Sequence, residues 1–446
     1  MGKNWKVGLL VLVIAMAFAA APALAQDKLV IWWNKSFVPQ QDEAFKEIVQ
    51  KWEKKTGKKA DVSFFALPDH PAKMLAAFDS KIVPDVDFGQ IVAVQNNTFA
   101  YEDKLLELSD VLNPIRGRFT DGSLIATEYM NGKTGKRGTY TFPIMQHGVN
   151  IHYWLDMLQA AGFKESDIPT QWKPFWDFWG EVQKKLRAKG ERVHGLGITY
   201  SVEATDTWQE FDHFMEAHRV RVMDDNGKSL IGDPKVRQGL ITVLDDFTRH
   251  YKAKNVPPGA ISWKDVDNNV NFSNRQVVMT MNPTLSIPGA FYGKDNNDAY
   301  NNKIRTLRWP AAPDGGIFTL RVSVHTGFIP KDAKNKEMAK DFVRFLLEPE
   351  NLTHFVKASN GAWFPVQKEA LKDPFFISAD PHRAAAYKNF MEVPNRPYEQ
   401  VFNRHFVTVQ TENLYGRACG RVLADNWAAD KAVDELIARM KQILGN

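Results

Sequence analysis

The hydrophobic pattern changes period between Lys28 and Gly57, in the stretch KLVIWWNKSFVPQQDEAFKEIVQKWEKKTG. Leu29 to Trp33 is a short apolar run bounded by polar residues, the length of a buried strand. After Asn34, Lys35, Ser36 and Pro39 the period becomes helical, with Phe45, Ile48, Val49 and Trp52 on one face. Gly57 stands where a helix stop is wanted. The alternation then repeats. Ala60 to Leu67 predicts a second strand. Asp69-His70-Pro71 opens a helix with Met74, Leu75, Phe78 and Ile82 turned inward, and Pro84 ends it before a third strand, Val86 to Val94. Strands alternating with helices predict a parallel sheet with right-handed crossovers. Ligands bind beyond the carboxyl ends of such strands, which puts Trp33, Asn34 and Lys35 where a ligand would sit.

Further along, Thr170 to Leu186 reads as a Trp-rich helix, Val193 to Tyr200 as a strand and Thr205 to Ala217 as a helix. Pro234 to Tyr251, Glu337 to Leu347 and Ala428 to Leu444 are amphipathic at helical spacing. The chain carries no internal repeat and no low-complexity segment.

The first 25 residues stand apart. Lys3 and Lys6 precede an apolar run, Val7 to Ala20, and Ala23-Leu24-Ala25 is a small-x-small cleavage site. That pattern predicts a secretory signal peptide cut between Ala25 and Gln26, and therefore a periplasmic protein. An uncleaved anchor is the alternative, and Gln26 in place of Cys argues against a lipoprotein. The rest of the chain is long for one core and fits two domains. A net charge of +5 over 446 residues gives no case for nucleic-acid binding. The single cysteine, Cys419, cannot form an internal disulfide.

Enzyme signatures are absent: no Gly-rich phosphate loop, no G-x-S-x-G elbow, no H-E-x-x-H helix. No cofactor and no metal is expected. Asp265, Asp267 and Asn269 alternate like the start of a calcium loop, but Val270 replaces its glycine and the twelfth position is not Glu.

Five segments in order carry a resemblance. They are LVIWW with the helix ending WEKKTG; the helix running into Pro84-Asp85-Val86; TYTFPIMQHGVNIHYWLDMLQAAGF from 139 to 163; FSNRQVVMTMNPTL from 272 to 285; and GFIPKDAKNKEMAKDFVRFLLEPENLTHFVKASNGAWFPV from 327 to 366. Together they resemble the solute-binding proteins of ABC importers, in particular the sugar-binding family that includes maltose-binding protein. Asn274 takes the place of a family glycine, and Asn tolerates positive φ. Trp154 and Leu155 replace the family's Asn-Lys pair.

The resemblance implies an α/β fold of the type II periplasmic-binding-protein class, with two lobes joined by crossover strands. The expected lobes are 27–143 with 282–335 and 146–279 with 337–446, hinged at Phe142 to His147 and Met279 to Pro283. It implies a monomer that captures a small solute, a carbohydrate, between the lobes and delivers it to a membrane permease. A sugar offers an apolar face to Trp and a rim of hydroxyls to fixed donors and acceptors. The expected ligand-binding residues are Trp33, Asn34, Lys35, Gln90, Gln146, His147, Trp208, Asn282, Thr284, Arg321, His325 and Trp363. Each has a structural alternative: Trp33 and Trp208 as packing, Lys35 as a solvated cation, Arg321 as an internal ion pair, His147 as an interior histidine. Lys35 and Arg321 would suit an anionic group, so a polyol phosphate or uronic acid stays open. The rivals are a secreted hydrolase with cleft carboxylates about 5 to 9 Å apart and an interaction protein that binds no small molecule.

Overall fold

A computed structural model describes residues 28–35, 38–66, 69–88, 95–293, 297–378 and 380–445. The segment expected to be a signal peptide and the candidate Gln90 lie outside the described residues. The strands are β1 (Lys28–Asn34), β2 (Lys59–Phe65), β3 (Val86–Phe88), β4 (Glu128–Asn131), β5 (Lys136–Thr139), β6 (Phe142–His147), β7 (Asn150–Trp154), β8 (His194–Gly197), β9 (Val277–Asn282), β10 (Ile304–Leu307), β11 (Leu320–Phe328), β12 (Phe364–Pro365) and β13 (Asn395–Pro397). The first sheet runs β12-β6-β11-β3-β1-β2, with β13 beside β11. The second runs β10-β7-β9-β8, and β4 and β5 form a separate hairpin.

The opening stretch folds as its pattern dictates. β1 lies between β2 and β3, parallel to both, with Trp33 opposite Phe64 and Phe88. The helix Pro39–Thr56 buries Phe45, Ile48, Val49 and Trp52. Gly57 at φ +71° ends it, its N–H donating to the Glu53 carbonyl at 2.8 Å. The helix His70–Ser80 departs from expectation. Met74 and Ala77 face inward, while Leu75 is 42 % exposed and Ile82, beyond the helix end, is 75 % exposed. Asn274 also differs, having an ordinary negative φ, and the left-handed position is its neighbour Arg275 at φ +58°.

The two lobes are partitioned differently from the expected boundaries. The first crossover is the two-residue link Gly148-Val149 between β6 and β7. The second was expected at Met279 to Pro283, but β9 there pairs with β7 and β8, wholly inside the second sheet. β10, expected in the first lobe, pairs with β7. The chain therefore returns to the first sheet only between Leu307 and β11. Residues after 337 were expected in the second lobe. The helices Lys336–Leu346 and Pro349–Lys357 instead pack against Pro39–Thr56 on the first. The helix Arg383–Met391 lies against β10, and the last helices, Leu414–Leu423 and Ala429–Leu444, pack on Pro234–Lys252 of the second.

Glycine is required where β11 passes between its neighbours. A Cβ on Gly327 would stand 2.4 Å from the Phe142 ring and 2.5 Å from the Phe88 Cβ. Both are core contacts, so relief must move a strand. Gly327→Ala is therefore expected to lower unfolding stability by about 1–3 kcal/mol, measured by denaturant titration.

Candidate functional site

A cavity of about 1210 Å³ opens between the two sheets. Its first-sheet wall is built from Val38 to Gln40 at the start of the helix Pro39–Thr56, from His147 at the end of β6, and from Lys357 to Asn360 with Ala362 and Trp363. Its second-sheet wall is built from Thr205, Asp206 and Gln209, from Asp265, Val266 and Asn269, and from Asn282 to Ser286 with Gly289.

The first-sheet wall is aromatic. Trp363 follows the turn made by Asn360 (φ +55°) and Gly361 (φ +85°). Its ring lies 5.1 Å from that of His147 and 4.8 Å from that of His325. The imidazoles share one hydrogen bond, His147 Nδ1 to His325 Nε2 at 3.1 Å. Burial first, and His325 second, hold the His147 pKa well below its usual value, so its ring is neutral. Trp363 is 5 % exposed, and its indole N–H has no partner among the described residues.

The second-sheet wall is rich in acceptors. The helix Thr205–Ala217 begins here, and Asp265 receives hydrogen bonds from the Thr205 N–H and from its hydroxyl, the latter at 2.9 Å. Asp206 is 5 % exposed and accepts from Asn268 Nδ2 at 2.9 Å. Burial, then the Asp265 carboxylate, push the Asp206 pKa up to about 8. Asn268 also donates to the Met281 carbonyl at 3.1 Å, tying this carboxyl to the end of β9. Asn282 Nδ2 donates to the Thr284 carbonyl at 2.8 Å and closes the following turn. Gln209 Oε1 and Asn269 Oδ1 are buried without partners among the described residues.

Of the expected binding residues, His147, Asn282, Thr284 and Trp363 line this cavity. His325 lies behind it, against His147 and Trp363. The others are placed elsewhere. Trp33 is in the core, its indole N–H donating to Asp42 at 2.6 Å and its ring against Phe45, Phe88 and Phe355. Asn34 is buried at the end of β1, and Lys35 is exposed, its backbone N–H on the Phe65 carbonyl at 2.9 Å. Gln146 is interior and donates to the Pro365 carbonyl at 2.7 Å. Trp208 packs edge-on to Tyr398. Arg321 is 1 % exposed and bound to Glu216 at 3.0 Å and to Glu399, which makes it an interior cation and leaves an anionic solute without it.

Sequence reasoning passed over Asp206, Gln209, Asp265 and Asn269. A signal for two of them existed. The alternation Asp265, Asp267, Asn269 is polar where a core strand would not be, and only its calcium-loop reading fails. Asp206 and Gln209 sit one turn apart on a helix end that follows a strand.

The unfolded Asp206 ionises near pH 3.9, while the folded one keeps its proton to about pH 8. The native state thus holds the extra proton between these values, and stability falls as pH rises through that window. Asp206→Asn removes the loss. Its Tm advantage over the parent chain is expected to grow from pH 4 to pH 8 and then level off, as read by calorimetry across that range.

The architecture has many parallels. An α-D-tagatose-bound ABC transporter solute-binding protein from Thermotoga lettingae superposes with a TM-score of 0.70 at 18 % identity, covering 94 % of this chain and 99 % of that one. A cyclic α-maltosyl-1,6-maltose binding protein from Arthrobacter globiformis gives 0.73 at 15 % identity, with 94 % and 99 % covered. In sequence, the putative ABC transporter periplasmic-binding protein YcjN of Escherichia coli is 24 % identical over 342 residues, 73 % of this chain and 72 % of that protein. The arabinooligosaccharide-binding protein of Bacillus subtilis is 22 % identical over 348 residues, 76 % and 73 % of the two chains. Residues 47–385 match the family model for bacterial extracellular solute-binding proteins. With two sheets facing one cavity and that match over most of its length, this chain belongs to the bacterial extracellular solute-binding proteins.

Proposed function

We propose that this protein captures a carbohydrate in the cavity between its two sheets and hands it to the permease of an ABC importer. The observation that carries the reading is a roomy cavity with Trp363 and His147 on one wall and the polar residues Thr205, Asp206, Asp265, Asn282 and Thr284 on the other. Sugar hydroxyls both donate and accept, so they suit the polar wall, while a C–H face suits Trp363. The volume holds more than a single ring. Relatives named for arabinooligosaccharide and for a cyclic maltosyl-maltose support a saccharide ligand. Export by the amino-terminal segment, cleaved between Ala25 and Gln26, fits a family of extracellular proteins.

The solute is bound without being transformed. Glycoside hydrolysis needs carboxyls that flank the scissile bond. Asp206 and Asp265 share one wall and one helix end, and among the described residues no carboxylate lines the opposite wall.

The test is a thermal-shift screen of the chain from Gln26, unfolded and refolded to strip carried-over ligand. At 100 times its dissociation constant a saccharide should add about 2.7 kcal/mol of stability, and uniform silence across mono- and oligosaccharides would overturn the reading. With a ligand in hand, Trp363→Ala should weaken binding by about 2 kcal/mol, roughly thirtyfold. Trp363→Phe, which keeps a ring but loses the N–H, should lose less. Titration calorimetry on variants with unchanged far-UV spectra reads both.

A further inference from the structure

A strap crosses between the two sheets away from the Gly148-Val149 link. The chain leaves the first sheet at β12 and rejoins it at β13. Between them the helix Arg383–Met391 reaches over to β10 of the second sheet. The residues at its start hold both sides. Arg383 is bound to Asp380 at 3.1 Å, and its stem packs on the Asn360-Gly361 turn that precedes Trp363: a Cβ on Gly361 would stand 2.8 Å from the Arg383 Cδ. His382, the residue before, is buried and reaches the second sheet. Its Nε2 meets the Tyr300 carbonyl at 2.9 Å, and its Nδ1 meets the Thr306 hydroxyl of β10 at 2.8 Å. The same hydroxyl meets His152 Nδ1 of β7 at 2.9 Å. His152 Nε2 stands 3.4 Å from the carbonyl of Thr284, which lines the cavity.

The proton count fixes the direction of each bond. The four contacts lie in series between two carbonyls, which only accept. Burial holds the His152 pKa down to about 3 and the His382 pKa down to about 4, so both rings are neutral. Two neutral imidazoles and one hydroxyl bring three protons to four contacts. The contact left without one is the longest, at Thr284. His382 therefore donates from Nε2 to Tyr300 and accepts at Nδ1 from the Thr306 hydroxyl, whose oxygen accepts from His152 Nδ1–H.

We infer that Thr306, His152 and His382 are positioning residues for the solute site: through the strap they set the spacing between the wall that carries Thr284 and the wall that carries Trp363. This rests on the reading of the cavity as the solute site, and it holds for any solute that touches both walls. Removing the hydroxyl leaves the His382 Nδ1 acceptor and the His152 Nδ1–H donor both unmet in the interior, which favours arrangements that part the strap from β10.

The tests use no solute, so their failure leaves the carbohydrate reading standing. In the wild-type chain from Gln26 at neutral pH, long-range nitrogen–proton correlation spectra are expected to place the His382 proton on Nε2 and the His152 proton on Nδ1, each ring assigned by its substitution with Gln. The wall spacing is read by dipolar EPR between nitroxides on Gln50→Cys and Val270→Cys, exposed positions on the helices Pro39–Thr56 and Asp267–Ser273. The native Cys419 is buried and stays unlabelled. Thr306→Val, which keeps the shape and removes the hydroxyl, is expected to shift or broaden the distance distribution. Thr306→Ser, which keeps the hydroxyl, is expected to retain the parent's. A His152 proton on Nε2 would overturn the inference. So would a Thr306→Val distribution identical to the parent's, which makes the hydroxyl a contact of the fold alone. A Thr306→Val chain that does not fold, beside a Thr306→Ser chain that does, has the same meaning.

Discussion

The interaction on which the two-sheet arrangement depends is the buried ionic cluster around Arg321. Arg321 projects from β11 of the first sheet and binds Glu216 at the end of the helix Thr205–Ala217 and Glu399 just after β13. Arg396 completes it by binding Glu399 at 2.8 Å. Each charge is buried, so each is tolerable only because the others are present. Removing one partner from such a cluster costs about 3–5 kcal/mol, since a lone charge is left in the interior. The cluster is therefore weak as glue but demanding in geometry.

That geometry reaches the cavity through one rigid element. The helix Thr205–Ala217 is tied at its far end to β11, and its near end supplies Thr205, Asp206 and Gln209 to the second-sheet wall. A helix rises about 1.5 Å per residue, so a fixed far end fixes where its first turn points. The position of the acceptor-rich wall relative to Trp363 is thus set by an ion pair remote from the solute. The short link Gly148-Val149 acts in the same direction. A Cβ on Gly148 would stand 2.9 Å from the Arg321 carbonyl, so the crossover is pressed against the strand that carries the cluster.

The two walls divide the work of recognition. The first-sheet wall supplies an aromatic face backed by His147 and His325. The second supplies polar side chains, among them Thr205, Asp206, Asp265, Asn282 and Thr284. A solute with one apolar face and several hydroxyls fits between them. An anionic solute meets two carboxyls, while the cation once expected to greet it, Arg321, is spent inside the protein.

The sequence by itself determined the elements and their family. Periods of two and 3.6 are local properties, so β1, the helix Pro39–Thr56 and the helix Thr205–Ala217 can be read directly, the last to its end residues. Local reading still misses by one residue in places, as at Asn274, whose neighbour Arg275 takes the left-handed position. The tertiary structure alone decided which elements share a lobe. β10 joins the second sheet and the helix Pro349–Lys357 joins the first because of pairing and packing across distances no local pattern encodes. It also decided which polar residues face solute. Trp33 and Trp363 are the same residue type in similarly apolar surroundings, and Arg321 reads like any strand arginine. Their roles diverge because burial and partners are set by residues dozens to hundreds of positions away: Phe355 against Trp33, Glu216 against Arg321, and an open cavity against Trp363.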